Sequence, residues 1–255
     1  MIITIRASDV AGCIGMNPYK SVSDMLVVYV GKCKGDKLDH SFDITKEDLE
    51  LLVDKCNYNK TELVGCNSDE ERNKLHQKII REVSRKSVWA NSNEQSKAIE
   101  ERLKEELPEV CKKCMKTEIN TKRGIVYEKK NLNSYEKNNN KIVKSRNSKL
   151  YKQEVYSDTG VKLLISGKVD GVEGEGDSRV LIETKNRRNR LFDDIPLYEK
   201  VQMCIYMKMT GITSSKLLQY YNDEEGVIDY DYDEEFWNEI KTKLIDFKDN
   251  IIKLI

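Results

Sequence analysis

The chain has 255 residues, 35% of them charged and 38% apolar, with 44 basic against 44 acidic side chains. A net charge of zero argues against a protein that coats nucleic acid over its whole surface, although a local basic track is compatible with it, because steering depends on where charge sits. The length allows one large domain or a core with a substantial insertion, and no apolar run approaches the roughly 20 residues that span a bilayer. Seven cysteines at irregular spacing suggest reduced thiols, and the N-terminus lacks a basic stretch followed by a long apolar run. A soluble, intracellular protein that is neither secreted nor tied to a membrane is expected.

Residues 2–5 are β-prone, and Ser8 is placed to cap a short helix carrying Val10 and Ile14 that ends at Gly15. On the residues alone Ser8 is simply that cap. Asn17-Pro18 makes a turn, and a second helix, capped by Ser21 or Ser23, sets Met25, Leu26 and Tyr29 on its apolar side. Residues 33–121 change texture: Lys, Glu, Asp and Asn dominate. Apolar positions such as Leu49, Val53 and Cys56, or Ile79, Ile80 and Val83, fall at helical spacing. Cys111 and Cys114 form a CxxC without a second pair at finger-like spacing, and His40 and His76 are isolated. Ordinary thiols on a helix are the reading favoured over a zinc or iron–sulfur centre.

A helix is expected from Lys122 to about Glu136, with Glu128, Leu132 and Tyr135 on one face. A glutamate in line with apolar residues reads either as an imperfect exposed stripe or as a carboxylate turned inward. From Lys137 to Gln153 there are six Lys or Arg and no acid, either a solvated surface or a phosphate track. Strands follow at 150–156, 161–167 and 179–185, the first two joined by an Asp158-Thr159-Gly160 turn. Runs 163–165 and 180–182 flank a turn rich in Gly and acidic residues and read as a hairpin. Asp170 ends its first strand, while Glu183 and Lys185 share one face of the second. Arg187, Arg188 and Arg190 come directly after.

Next is a helix starting near Pro196 and ending at Thr210-Gly211, with Tyr198, Gln202 and Tyr206 in one stripe beside Val201 and Ile205. A strand at 216–221, an acidic loop at 223–235 and an amphipathic C-terminal helix with Phe236, Ile240, Leu244, Phe247 and Ile251 on one face complete the chain. Two carboxylates and a lysine at one end of a hairpin suit a hard cation and a phosphate, since Mg²⁺ prefers oxygen ligands.

Five pieces in order carry a resemblance. They are Ala7-Ser8-Asp9-Val10 with Gly15-Met16-Asn17-Pro18-Tyr19; Arg123-Gly124-x-x-Tyr127-Glu128; Gly167-x-x-Asp170-Gly171; Glu183-Thr184-Lys185; and Gln202-x-x-x-Tyr206. Together they resemble the PD-(D/E)xK nuclease superfamily, and most closely the YqaJ or lambda-exonuclease branch of viral recombination nucleases. Val169 stands where that family has proline.

The resemblance implies an α/β, restriction-endonuclease-like core: a small mixed sheet flanked by helices, built from residues 1–32 and 122–255 around a charged, mainly helical insertion at 33–121. It implies that Glu128, Asp170 and Glu183, with the carbonyl of Thr184, ligate Mg²⁺, for which Mn²⁺ would substitute. Lys185 would activate the attacking water and Gln202 would position Lys185 or a phosphate. Arg6, Ser8, Arg187, Arg188, Arg190 and Tyr206 would bind DNA, which lifts Ser8 above the plain cap. The implied activity is a double-stranded DNA exonuclease serving recombination or repair in the cytoplasm or nucleus of a host cell. Its partners would be DNA ends, a single-strand annealing protein and further copies of the chain. An endonuclease of the same superfamily and a catalytically idle DNA-binding protein are the alternatives.

Overall fold

The computed structural model describes residues 1–35, 44–86, 92–222 and 224–255; His40 and Asp223 lie outside the described residues. In β1 (Ile2–Arg6), Ile3 and Ile5 point inward and Ile2 and Thr4 outward, the period-two pattern of a half-buried strand. The chain turns at once into α1 (Ala7–Cys13), whose N-cap is Arg6, with no capping side chain. Ser8 is therefore not the expected cap; it sits exposed inside the first turn. α2 (Val22–Lys34) begins at Ser21, whose hydroxyl accepts from the Asp24 amide, and ends at Gly35 in the left-handed region, φ 79°.

Residues 44–139 hold α3 (Lys46–Lys55), α4 (Asp69–Lys86), α5 (Ser92–Lys104) and the 31-residue α6 (Glu109–Asn139). Leu49, Leu52 and Val53 of α3, Ile79 of α4, Ile99 of α5 and Cys111, Met115 and Ile119 of α6 form their own buried cluster. Each such aliphatic side chain contributes about 1.5–3 kcal/mol by leaving water. Cys111 and Cys114 belong to this packing, and burial pushes their thiols up to about 12 and about 11. α6 starts 13 residues before the expected helix and runs unbroken through position 122. Its second half packs Leu132 and Tyr135 on Ile182 and Leu218 of a sheet, so one rod joins the cluster of helices α3–α5 to the strands.

The strands are β2 (Val143–Lys144), β3 (Tyr151–Ser157), β4 (Lys162–Gly167), β5 (Gly171–Glu173) and β6 (Val180–Asn186). After α7 (Leu197–Thr210) come β7 (Ser214–Tyr221), β8 (Glu224–Asp231) and α8 (Glu234–Leu254). The mixed α/β class expected from the sequence is what forms, but as two sheets, ordered β1-β4-β3 and β2-β5-β6-β7-β8. β1 runs parallel to β4 and β6 parallel to β7; the other pairings are antiparallel.

The hairpin expected between residues 163–165 and 180–182 does not form. β4 is occupied on both edges by β1 and β3, and β6 pairs instead with β5, Gly171 opposite Ile182. A Cβ on Gly171 would lie 2.2 Å from Val143 Cγ1, so glycine is what lets β2 come alongside. The acidic stretch expected as a loop is largely β8, which pairs with β7 along its full length, Tyr221 opposite Glu224. Val10, Leu163, Ile165, Val201, Ile205, Ile240, Leu244 and Ile251 join α1, β4, α7 and α8 in the main core. Among the described residues no helix is long and apolar enough to cross a membrane.

His76 of α4 is 1% exposed, and burial lowers its pKa to about 4 against the opposing pull of Asp48. The unfolded imidazole takes a proton near pH 6.5 and the folded one does so only near 4. Stability is therefore full above about pH 6.5 and declines as the pH falls toward 4. Between pH 7.5 and 5 the expected loss from this group is about 2 kcal/mol. Urea midpoints at the two pH values should show it, and a His76→Leu chain with an undiminished acid dependence would contradict the assignment.

Candidate active site

Glu183 and Lys185 project from β6, the middle strand of its sheet, so backbone pairing on both edges fixes their positions. Asp170 lies in the crossing between the two sheets and is pinned to the same strand: the Thr184 amide donates to its Oδ2 at 2.9 Å. The crossing is tight because Gly167 sits against α7 and α1. A Cβ there would be 2.7 Å from Tyr206 Cε1 and 3.0 Å from Ala7 Cβ. Glu128 arrives from α6, half-buried and bonded by Asn147 Nδ2, and Gln202 arrives from α7, donating to the Tyr206 hydroxyl at 3.2 Å. Glu128, Asp170, Glu183, Thr184, Lys185 and Gln202 line one cleft of about 400 Å³.

The charges in the cleft do not balance. Lys185 Nζ donates to Glu183 Oε1 at 2.5 Å, while Glu183 Oε2 is buried without a hydrogen-bond partner. Burial first, then the Asp170 charge, push the Glu183 carboxyl above the ordinary carboxylate range, with Lys185 opposing. Asp170 is likewise raised by burial and by Glu128, against Lys185 and the Thr184 amide. Burial also raises Glu128, which the Asn147 bond opposes and Glu183 reinforces. For Lys185 burial acts to lower the pKa, and the two carboxylates outweigh it and raise it. One ammonium serves buried Glu183 and part-buried Asp170, with Glu128 as a third carboxylate close by.

Among the described residues no three His, Cys, Asp or Glu side chains are drawn together tightly enough to enclose an ion as they stand. The donor set still fits a hard divalent cation. It is all oxygen, one carboxylate oxygen is orphaned, and added positive charge would relieve the repulsion that raises the carboxyls.

The expected DNA-binding residues divide. Arg188 lines the cleft and Arg190 is exposed beyond it. Arg187 is turned inward instead: its Nη1 and Nη2 donate to Glu199 at 2.6 and 2.8 Å, its Nε donates to Gln219 Oε1, and its guanidinium lies 4.4 Å from the Phe192 ring. Its guanidinium is thus engaged inside the protein rather than turned to solvent as the expected DNA contact would require. Tyr206 is 5% exposed and touches the site through its hydrogen bond with Gln202. Arg6 donates to Asp9 at 2.8 Å, and neither it nor Ser8 lines the cleft. Lys20 and the Tyr29 hydroxyl also bond Asp9; buried Asp9 thus ties the β1–α1 corner together.

Asn120, Arg123, Asn131 and Asn186 also line the cleft and were not singled out as site residues. Asn120, Gly124 and Glu128 follow at steps of four on α6, as do Arg123, Tyr127 and Asn131, so the helical period that marked Glu128 also marks them. Asn120 precedes the expected helix start at Lys122, whereas Arg123 and Asn131 lie inside that helix and carry polar side chains that read equally as solvent-facing.

No family model matches the chain, and no curated protein matches it. Among solved structures, an alkaline exonuclease (LHK-Exo) from Laribacter hongkongensis is similar at 18% identity and a TM-score of 0.39. The match covers 69% of this chain and 89% of that one. The same exonuclease in complex with dAMP gives 17% and 0.39 over the same shares. The protein SSO0001 gives 19% and 0.37 over 49% of this chain, which spans 56% of its length. None reaches a TM-score of 0.5, so these likenesses carry no weight for the site, which stands on its own residues.

Proposed function

We propose that the cleft is the active site of a divalent-metal-dependent deoxyribonuclease that hydrolyses phosphodiester bonds in double-stranded DNA from its ends, in recombination or repair. The observation that carries the reading is buried Glu183 beside part-buried Asp170, with the charge of one lysine serving both while Glu183 Oε2 lacks a hydrogen-bond partner. Mg²⁺, or Mn²⁺ in its place, would be held by Asp170 and Glu183, with Glu128 swinging from Asn147 as third carboxylate and the Thr184 carbonyl beside them. Such a cation, when bound, neutralises phosphate charge and favours ionisation of water.

The chain's own groups supply the rest. Lys185 keeps its proton under the pull of two carboxylates, so it acts as a hydrogen-bond donor that orients the attacking water and meets charge on the phosphate. Gln202 is held by Tyr206 and offers its amide to Lys185 or to a phosphate oxygen. Arg188 stands at the mouth for the flanking phosphates. The end requirement comes from the family resemblance of the five sequence pieces, and the active-site residues alone fit an endonuclease equally.

One gel separates the readings. Linear and covalently closed circular duplex are incubated with the protein in Mg²⁺. An exonuclease degrades the linear form and spares the circle. An opened or fragmented circle identifies an endonuclease, and two intact substrates would refute both.

A further inference from the structure

We propose that the cleft-side face of α6 is a track for the backbone of duplex DNA, carried by Arg123, Lys116 and Lys113, and that the helical insertion is in this way part of the substrate surface. The inference builds on the nuclease reading of the cleft and extends it outward.

The placement follows from the helix itself. Asn120, Arg123, Gly124 and Glu128 line the cleft, so one side of α6 faces it. Continuing that side toward the N-terminus at steps of three and four residues gives Lys116 and Lys113, both exposed. Cys111, Met115 and Ile119 occupy another side and are fully buried in the insertion's core, so the lysines cannot be turned inward. From Glu128 to Lys113 the helix rises about 22 Å, equivalent to between six and seven base pairs.

The charges along this face are available. Lys112, which lines one surface hollow with Lys113 and Lys116, is neutralised by Glu109 at 3.1 Å, and Lys122, which points off the face, by Glu118 at 2.8 Å. Among the described residues Lys113, Lys116 and Arg123 form no ion pair with a carboxylate. Arg123 is 5% exposed yet among the described residues bonds only neutral groups: the Arg187 carbonyl at 3.4 Å and, with the Asn186 amide turned to satisfy both, the Asn186 oxygen at 2.9 and 3.2 Å. A cation desolvated this far without an anion is costly, and an arriving phosphate would remove the cost.

The relief of the face suits a close approach. The Thr117 and Thr121 hydroxyls fold back onto the carbonyls of Lys113 and Thr117 at 2.9 Å each. Gly124 is exposed in mid-helix, and a Cβ there would meet nothing within 4 Å. No packing within the chain requires this glycine, which weakens the helix relative to alanine, whereas a backbone lying against it would.

The test measures binding of a 20-base-pair duplex in EDTA, from about 50 to 200 mM KCl, together with cleavage in Mg²⁺. The Lys113→Gln/Lys116→Gln chain should melt like the wild type, bind about tenfold more weakly and lose about 1.8 from the slope of log affinity against log salt. Lys129→Gln, on the opposite face of α6, should match the wild type. Unchanged affinity and slope in the double variant, or an equal loss in Lys129→Gln, would overturn the track while wild-type cleavage upholds the nuclease. A wild type that shows the binding loss on substitution but never cleaves would sink the nuclease reading and keep the track. A wild type that does not bind duplex would overturn both.

Discussion

Lys185→Ala is expected to lower the rate of Mg²⁺-dependent cleavage of linear duplex by about 10²–10⁴-fold, the range for loss of a positioned proton donor or acceptor. Among the described residues Lys185 is the only cation bonded to Glu183, at 2.5 Å, and it also opposes the upward push on Asp170. Without it both carboxyls are driven further toward their neutral forms, which are poorer ligands for a cation. The fold should persist, because a protonated Glu183 no longer buries a charge. Circular dichroism establishes that the variant is folded, and a fluorescent end-labelled duplex reads the rate. Cleavage at the wild-type rate by folded Lys185→Ala would remove the lysine from the site.

Glu199→Ala should cost about 3–5 kcal/mol of stability, because it strands the buried guanidinium of Arg187. Arg187 and Glu199 are 7% and 3% exposed and joined by two bonds, and Gln219 completes the set by accepting from Arg187 and bonding Phe192 through both its amide groups. This network holds the connection from β6 to α7 and so sets the distance between Lys185 and Gln202. Replacing both partners with apolar side chains, Arg187→Met with Glu199→Leu, should recover much of the loss, since neither charge is then left alone. A urea midpoint for Glu199→Ala equal to that of the wild type would show that the pair is not closed as described.

Elements with strong local signals were legible in the sequence. The Asp158 turn declares the β3–β4 hairpin, its carboxylate accepting from the Gly160 and Val161 amides. α7 is bracketed by Pro196 and Gly211, and α8 repeats its apolar positions at helical spacing above an Asp233 cap. What the sequence could not disclose is mostly non-local. β4 pairs with β1, some 160 residues earlier, and no short-range pattern distinguishes that from a hairpin with β6. Arg187 and Arg188 read as one basic run, but side chains alternate there, and Glu199 and Gln219 capture the first while the second is left in solvent. β8 looked like a loop because its charge density hides an alternation that matters only once β7 lies beside it. Of the site, Glu128, Asp170, Glu183, Lys185 and Gln202 are brought to one cleft. The inward role of Arg123 was masked by the charged texture of the half of α6 that precedes it.

We propose that Asp170, Glu183 and Glu128 share a divalent cation. This is tested most directly by titrating Mn²⁺ into the purified protein without DNA and counting free ion by electron paramagnetic resonance. The wild type should show saturable binding, displaced by excess Mg²⁺, and Asp170→Asn and Glu183→Gln should each lose it while remaining folded. A folded wild type that leaves all the Mn²⁺ free, or variants that bind it as the wild type does, would contradict the account.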